Sequence, residues 1–361
     1  MKITRLRTEP VRLPLRKPIM SALGELRSAD SVLIFLETDA GLTGEGLLMA
    51  LNGTRLSVLA EMARSFEPMV LGLDPRLDGS FRLRAWKELN FFGYQGLSVM
   101  GVAGIDMALW DLRAKEAGLN VAHLLGACRT AVPTYASGGL WLSSSIEELQ
   151  READSFVQRG FRAMKMRLGK PTEDEDVARV RAVREAIGPS IQLMADANQQ
   201  MTVAQAIRIG HRLEEFNLTW FEEPVRHDNH EGEAAIAASL KTPLASGESE
   251  YTSRGMLRML KAEAADILMP DLQRMGGPAE FLKAGHIAET FDVPVSSHIY
   301  SEMSLPLLAA LPNALTLEHM PWFEDLYDAR IELDSNGHAK IPTQPGWGFP
   351  FDPKAVQRLA L

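Results

Sequence analysis

The chain holds a single cysteine, Cys128, so neither an intrachain disulfide nor a thiolate metal cluster is open to it. The run Gly126-Ala127-Cys128-Arg129 offers no nearby base, and Cys128 reads as a small linker residue rather than a nucleophile. Long hydrophobic runs are missing too. The longest, at 31–36, lasts a strand's length before charge interrupts it, which excludes a membrane span. The opening Met1-Lys2-Ile3-Thr4-Arg5-Leu6 reads as strand and lacks the apolar core of a signal peptide, so the cytoplasm is the expected compartment. Nor is there an excess of positive charge. The 38 Lys and Arg are outnumbered by 47 Asp and Glu, and a net charge of −9 argues against a nucleic-acid partner, whose phosphates need clustered cations. An acidic small molecule stays compatible, because a few cations inside a pocket are enough. What is present, 46% hydrophobic and 24% charged residues, belongs to a globular protein long enough for one large domain or two ordinary ones.

The first third does not alternate strand and helix. Residues 4–15, 31–38 and 43–50 read as strands, with a turn at Asp39-Ala40-Gly41 before the third. The polar stretch 16–30 contains Gly24, shows no period, and reads as a mobile loop. Helical stretches follow at 55–71, 76–89 and 98–117; in the last, Val102, Ile105, Ala108, Leu109 and Leu112 share one face. Strands followed by helices predict an α+β domain. From about Val132 short apolar runs alternate with amphipathic helices. Strand candidates at 132–136, 162–167, 191–196, 219–222, 243–248, 266–269, 294–298 and 315–318 make eight βα-type units, which predicts parallel strands in a closed barrel. A doubly wound open sheet is disfavoured, because no Gly-rich phosphate loop follows the first of these strands.

Ionisable residues punctuate the series. Asp196, Glu222, Glu248, Asp271, His298 and Glu318 each fall at or just past a predicted strand end, separated by 26, 26, 23, 27 and 20 residues. In a barrel all those ends open on one rim, where active sites are built. A single carboxylate there would be read as the cap of the next helix; six in succession exceed what capping explains. Crowded carboxylates raise one another's pKa, and a divalent cation relieves that. Asp196, Glu222 and Glu248 come from neighbouring strands and offer hard oxygen donors without Cys or His, which selects Mg²⁺ over zinc, with Mn²⁺ able to substitute. Alternation along Arg162-Ala163-Met164-Lys165-Met166-Arg167 puts Lys165 and Arg167 on one face, inside the barrel mouth or paired in ion bridges. Asp271 and His298 end consecutive strands, the arrangement of a general base oriented by a carboxylate.

These residues resemble the enolase superfamily, and within it the mandelate racemase subgroup, over nearly the whole chain. The run from Gly160 to Gly169 is similar to that subgroup's lysine strand. Asp196-Ala197-Asn198-Gln199, Trp220-Phe221-Glu222-Glu223-Pro224 and Gly247-Glu248 resemble its three metal-ligand positions, with Glu222 rather than Glu223 as the second ligand. Met269-Pro270-Asp271, Gly276-Gly277 and Ser296-Ser297-His298 resemble the stretches around the catalytic dyad, and Ala103-Gly104-Ile105-Asp106-Met107-Ala108-Leu109-Trp110-Asp111 the helix that leads into the barrel. The resemblance implies a modified (β/α)₇β barrel (131–320), an α+β capping domain (1–130) whose stretch 16–30 is a lid, and a tail (321–361) that packs on the cap. It also implies one Mg²⁺ per subunit bound to a substrate carboxylate. Lys165 and Glu318 would stabilise an enediolate, and Asn198 would touch metal or substrate. A homo-oligomer, often an octamer, is implied as well.

One departure bears on the chemistry. The family's usual Lys-x-Lys is here Lys165-Met166-Arg167, and a guanidinium keeps its proton to a pKa above about 12, so Arg167 is a poor base. Racemisation needs proton acceptors on both faces of the substrate; dehydration needs one. The expectation is an acid-sugar dehydratase making a 2-keto-3-deoxy acid, with His298 as base and then acid, Asp271 orienting it, and Arg167 binding a substrate oxygen or stabilising charge. Pro133-Thr134-Tyr135-Ala136-Ser137-Gly138-Gly139 and Asp228-Asn229-His230-Glu231-Gly232 resemble the corresponding runs of talarate/galactarate dehydratases, which favours a dicarboxylic sugar. His227 and His230 read as surface residues near a helix start. The alternatives are an epimerase or lactone cycloisomerase, a dipeptide epimerase (which would want lysines on opposite strands), and a non-catalytic ligand-binding paralogue.

Overall fold

The computed structural model describes residues 1–21 and 24–361. The chain opens with four antiparallel strands, β1 (Ile3–Val11), β2 (Pro14–Ser21), β3 (Gly24–Thr38) and β4 (Thr43–Leu51), in which β3 pairs with all three others. The 16–30 stretch is therefore not a loop: β2 and the first part of β3 form a hairpin, with Ile19 opposite Leu26 and Ser21 opposite Gly24. Its polar composition conceals a period of two, since only alternate residues of Glu25-Leu26-Arg27 turn inward. Residues 22 and 23 of the expected lid lie outside the described residues. From Ser28 to Leu36, β3 is buried throughout: the helix Leu97–Ala117 covers one face, where Ile34 meets Gly104, and the tail covers part of the other, where Phe35 meets Phe351. Glycine makes that contact close: a Cβ on Gly46 would lie 2.3 Å from the carbonyl oxygen of Gly104. The expected helix at 55–71 stops at Arg64 and resumes as Glu67–Val70, with Pro68 in the first turn of the new segment, where its missing N–H costs nothing.

Eight parallel strands follow: β5 (Ala131–Ala136), β6 (Ala163–Arg167), β7 (Gln192–Asp196), β8 (Phe221–Glu222), β9 (Leu244–Ser246), β10 (Ile267–Leu268), β11 (Val295–Ser296) and β12 (Ala314–His319). They pair in chain order, and β12 pairs with β5, which closes the barrel. All eight expected strands are present, several shortened to the few residues that keep ladder bonds. The lower barrel is filled by Tyr135, Ala163, Met194, Trp220, Ala245, Ile267 and Met269, so polar groups have room only above them, at the strand C-termini.

The tail adds β13 (His338–Lys340), antiparallel to β5, and returns to the first sheet. Trp347 is buried; its backbone N–H donates to Asp111 Oδ1 at 2.9 Å and its indole N–H to the Met107 carbonyl at 3.2 Å. Ala360 bridges to Val11 of β1. Among the described residues no helix is long and apolar enough to cross a membrane.

Candidate active site

The barrel places the singled-out residues on one rim. Lys165 and Arg167 face inward from β6; Asp196 and Glu222 are the last residues of β7 and β8. Glu248 lies just past β9, Glu318 is next to last in β12, and Asp271 and His298, past β10 and β11, are joined by a parallel bridge of their own.

The Lys165 ammonium is buried among acids. It lies 2.5 Å from Glu222 Oε1, 3.0 Å from Glu318 Oε1 and 3.7 Å from Asp196 Oδ2. Burial pushes its pKa down, but these carboxylates outweigh burial and hold it well above the ordinary lysine value. Glu222 is pushed the other way: burial raises its pKa, Lys165 opposes the rise, and Asp196, Glu318 and Glu248 add to it. Its second oxygen accepts the Trp220 indole N–H at 2.7 Å. Glu318 is held at about 2; burial raises it, but Lys165, His298, the Ile299 N–H and the Ser137 hydroxyl together prevail.

Arg167 is clamped. Its Nη1 donates to the carbonyls of Ser137 at 2.7 Å and Gly139 at 3.2 Å, its Nη2 to Ser137 Oγ at 2.9 Å, and its guanidinium stacks 4.0 Å over Trp141. Most of the donors expected for a substrate oxygen are thus taken by the segment after β5. Nε is buried without a hydrogen-bond partner, 3.9 Å from Asp196 Oδ2.

Across the mouth, His298 Nδ1 lies 2.8 Å from Asp271 Oδ2, and Nε2 lies 3.2 Å from Glu248 Oε2. A carboxylate near each nitrogen favours the charged imidazolium over the neutral ring. Burial disfavours that charge, but Glu248 and Asp271 outweigh it and bring the pKa to about 8. Asp271 also caps the turn Leu272–Met275 through the Arg274 N–H at 2.7 Å, and Arg274 Nη1 donates to the Glu248 carbonyl at 2.8 Å.

The donor set suits a hard dication in kind. Asp196, Glu222 and Glu248 are hard oxygen donors, and two further buried oxygens, Asn198 Oδ1 and Glu223 Oε1, have no hydrogen-bond partner among the described residues. Asn198 donates to Asp196 through its backbone and side-chain nitrogens, at 2.9 and 3.0 Å, so its own Oδ1 is not used in either bond. Burial, then Glu248 and Asp196, drive the Glu223 pKa well above the carboxylate range, a crowding that a positive charge would relieve. Positive φ at Asn198, Gln199 and Glu223 marks strain concentrated on this rim. Among the described residues, no three His, Cys, Asp or Glu side chains are gathered closely enough to hold an ion as they stand, because Lys165 and His298 sit between the acids.

The sequence gives no role to Trp141 or Arg274, and it shows Ser137 and Trp220 only as members of family-like runs. Trp220 could have been found, since its place two residues before Glu222 puts both on one face of the strand. His227 and His230 lie against Glu250, at 3.8 and 3.0 Å, and the His227 N–H donates to Gln199 Oε1 at 3.1 Å.

Two family models cover the chain: the mandelate racemase / muconate lactonizing enzyme N-terminal domain over residues 3–126, and the enolase C-terminal domain-like model over residues 148–355. The chain is 34% identical over 350 residues to an L-talarate/galactarate dehydratase of Salmonella typhimurium, spanning 95% of this chain and 87% of that one. It is 31% identical over 360 residues to a 3,6-anhydro-alpha-L-galactonate cycloisomerase of Streptomyces coelicolor, spanning 99% of each. The crystal structure of the Salmonella typhimurium LT2 dehydratase with Mg and L-lyxarohydroxamate superposes with a TM-score of 0.96 at 31% identity, covering 100% of this chain and 93% of that one. With both halves matched by family models and a closed barrel under an antiparallel sheet, the chain belongs to the enolase superfamily, in its mandelate racemase subgroup.

Proposed function

We propose that this enzyme is an acid-sugar dehydratase that removes the proton beside a substrate carboxylate and expels the β-hydroxyl. The observation that carries the reading is the asymmetry of the mouth. One side offers an imidazole on a carboxylate, with 2.8 Å between His298 Nδ1 and Asp271. The other offers Lys165 and Arg167, neither of which is a ready proton acceptor. One acceptor suffices for elimination, whereas racemisation wants two.

In this reading Asp196, Glu222 and Glu248 would hold one Mg²⁺, with Asn198 beside it, and the ion would supply Lewis-acid charge that acidifies the hydrogen on the carbon beside the substrate carboxylate. His298 Nε2 takes the α-proton, and the C–H electron pair enters the enediolate. Those electrons then form the carbon–carbon double bond as the β C–O bond breaks. The same nitrogen returns its proton to the departing hydroxyl, which leaves as water, and the enol tautomerises to a 2-keto-3-deoxy acid. Asp271 keeps Nδ1–H fixed so that Nε2 is the nitrogen that works. Lys165, held by Glu318, presents its ammonium to the developing oxyanion. Residues 1–130 would cap the barrel at 131–320, and the tail at 321–361 would brace the cap. The Salmonella relative, whose name specifies talarate and galactarate, supports a dicarboxylic sugar as the substrate class.

Full-length protein incubated with Mg²⁺ and a set of aldonates and aldarates is expected to form a 2-keto-3-deoxy acid from at least one. Failure with every member would overturn the reading. The Streptomyces relative favours a second one, cycloisomerisation through the same enediolate. A product isomeric with its lactone or anhydro-sugar substrate, formed without loss of water, would select it.

A further inference from the structure

Two buried polar side chains lie close behind the dyad without touching it. Gln273 follows Asp271 by two positions and Tyr300 follows His298 by two; both are buried. They meet at one residue of the first sheet, Met49 in β4. Gln273 Oε1 accepts the Met49 N–H at 2.7 Å and the Tyr300 hydroxyl at 2.6 Å, while Gln273 Nε2 donates to the Met49 carbonyl at 3.2 Å. The Met49 N–H also lies 3.1 Å from the Tyr300 hydroxyl oxygen. These partners are 224 and 251 residues apart in the chain.

The chemistry of the contact is specific. Among the described residues β4 pairs only with β3, so its other side is a sheet edge with backbone groups to satisfy. Gln273 supplies one acceptor and one donor to a single residue, as a neighbouring strand would. An apolar side chain of the same volume would fill the space but leave the Met49 carbonyl without that bond. The far side of the dyad is held as firmly. Ile299 and Tyr300 both have φ of 48°, the Ile299 N–H donates to Glu318 Oε2 at 2.5 Å, and the Tyr300 ring stacks on Phe323 at 5.4 Å. The backbone leaving His298 is therefore strained and pinned twice, once from the barrel through Glu318 and once from the capping sheet through Tyr300. Across the sheet Met49 pairs with Ser31 of β3, whose first residues form the hairpin with β2. One strand thus joins the hairpin to the groups behind the base.

We propose that Gln273 and Tyr300 are positioning residues that seat the edge of the capping sheet on the turns carrying Asp271 and His298, so that the imidazole is aligned only while the cap is docked. This rests on His298 being the base. The cap would then do more than shield the substrate: a displaced sheet would leave the dyad misaligned, and proton removal would wait for closure.

The test uses the full-length protein with Gln273→Met, which keeps the volume and loses the amide, and Tyr300→Phe, which loses one oxygen. With an acid sugar that the wild type dehydrates, each variant is expected to lower kcat, by about 10–100-fold for Gln273→Met. KM should stay within about twofold, and melting should remain above the assay temperature. Wild-type kcat in Gln273→Met would overturn the proposal, since packing alone would then suffice. Amide hydrogen exchange needs no turnover. In Gln273→Met, exchange should quicken at Met49 and also at 271–275 and 298–302. Faster exchange confined to Met49 would overturn the coupling. If the wild type dehydrates no acid sugar, the functional reading fails, yet the exchange experiment still decides whether cap and dyad move together.

Discussion

The two sides of the barrel mouth hold their polar groups in opposite ways. On β6, Lys165 and Arg167 are cations held by several acceptors each: Glu222 and Glu318 for one, the Ser137 and Gly139 carbonyls for the other. Across the barrel, His298 stands between two carboxylates, with a proton held at about pH 8. In the proposed reading the first side would supply a standing electric field and the second would exchange a proton near neutrality, so cations on one rim would differ in purpose through their hydrogen-bond partners.

Removing the mobile side has the largest expected effect. His298→Asn keeps a side chain that can bond to Asp271 but cannot act as base, and turnover should fall on the order of 10²–10⁴-fold. Mg²⁺ binding, followed by calorimetry, should persist, since Asp196, Glu222 and Glu248 are untouched. Normal turnover in this variant would refute the assignment of the base. Chelation comes next. Stripping divalent ions should abolish dehydration and lower Tm, and Mg²⁺ should restore both. A ligand at about a hundred times its Kd adds about 2.7 kcal/mol to stability, so the shift in Tm should be readily measured. Full activity in excess chelator would show that the acids serve some other purpose.

The site was legible in the sequence to the extent that it follows from strand periodicity. Asp196, Glu222, Glu248, Asp271, His298 and Glu318 could be placed because each ends an apolar run, and a closed parallel barrel brings such ends to one rim. The capping hairpin was not legible. Its strands bury few side chains, Ile19 and Ser21 among them in β2, so the hydrophobic signal that marks a strand is weak there. Partnerships across the fold were hidden for another reason. The stacking of Arg167 on Trp141 and the grip of Gln273 on Met49 depend on how separate elements pack, and no local pattern encodes that.

Arg167→Lys makes the two sides alike. A lysine at 167 would lose the paired donors to Ser137 and Gly139 and bring in a group that can give up its proton at a lower pH than guanidinium can. Dehydration should slow by about tenfold, as the segment after β5 loosens. In D₂O, recovered substrate should now include the inverted α-carbon bearing deuterium, followed by NMR. Absence of inversion in a folded, still active variant would mean that the second face is closed by geometry rather than by the lack of a base.

Ile19→Ala tests the hairpin's own hold, and its effect should be the smallest. Ile19 packs with Trp141 and Met320 in a small cluster apart from the main cores, and the Met20 carbonyl accepts the Leu142 N–H at 3.2 Å. Truncating a buried Ile usually costs about 2–5 kcal/mol, but here the loss falls on a peripheral hairpin that can open while both cores stay packed. KM should therefore rise about three- to tenfold, as the population of closed, binding-competent cap shrinks, while Tm moves little. Trp141 carries the Arg167 guanidinium and also belongs to the hairpin cluster, so the variant also asks whether the β6 side of the mouth depends on the cap. If kcat falls with KM unchanged, closure aligns that side too. If KM alone moves, the cap does its aligning on the His298 side only.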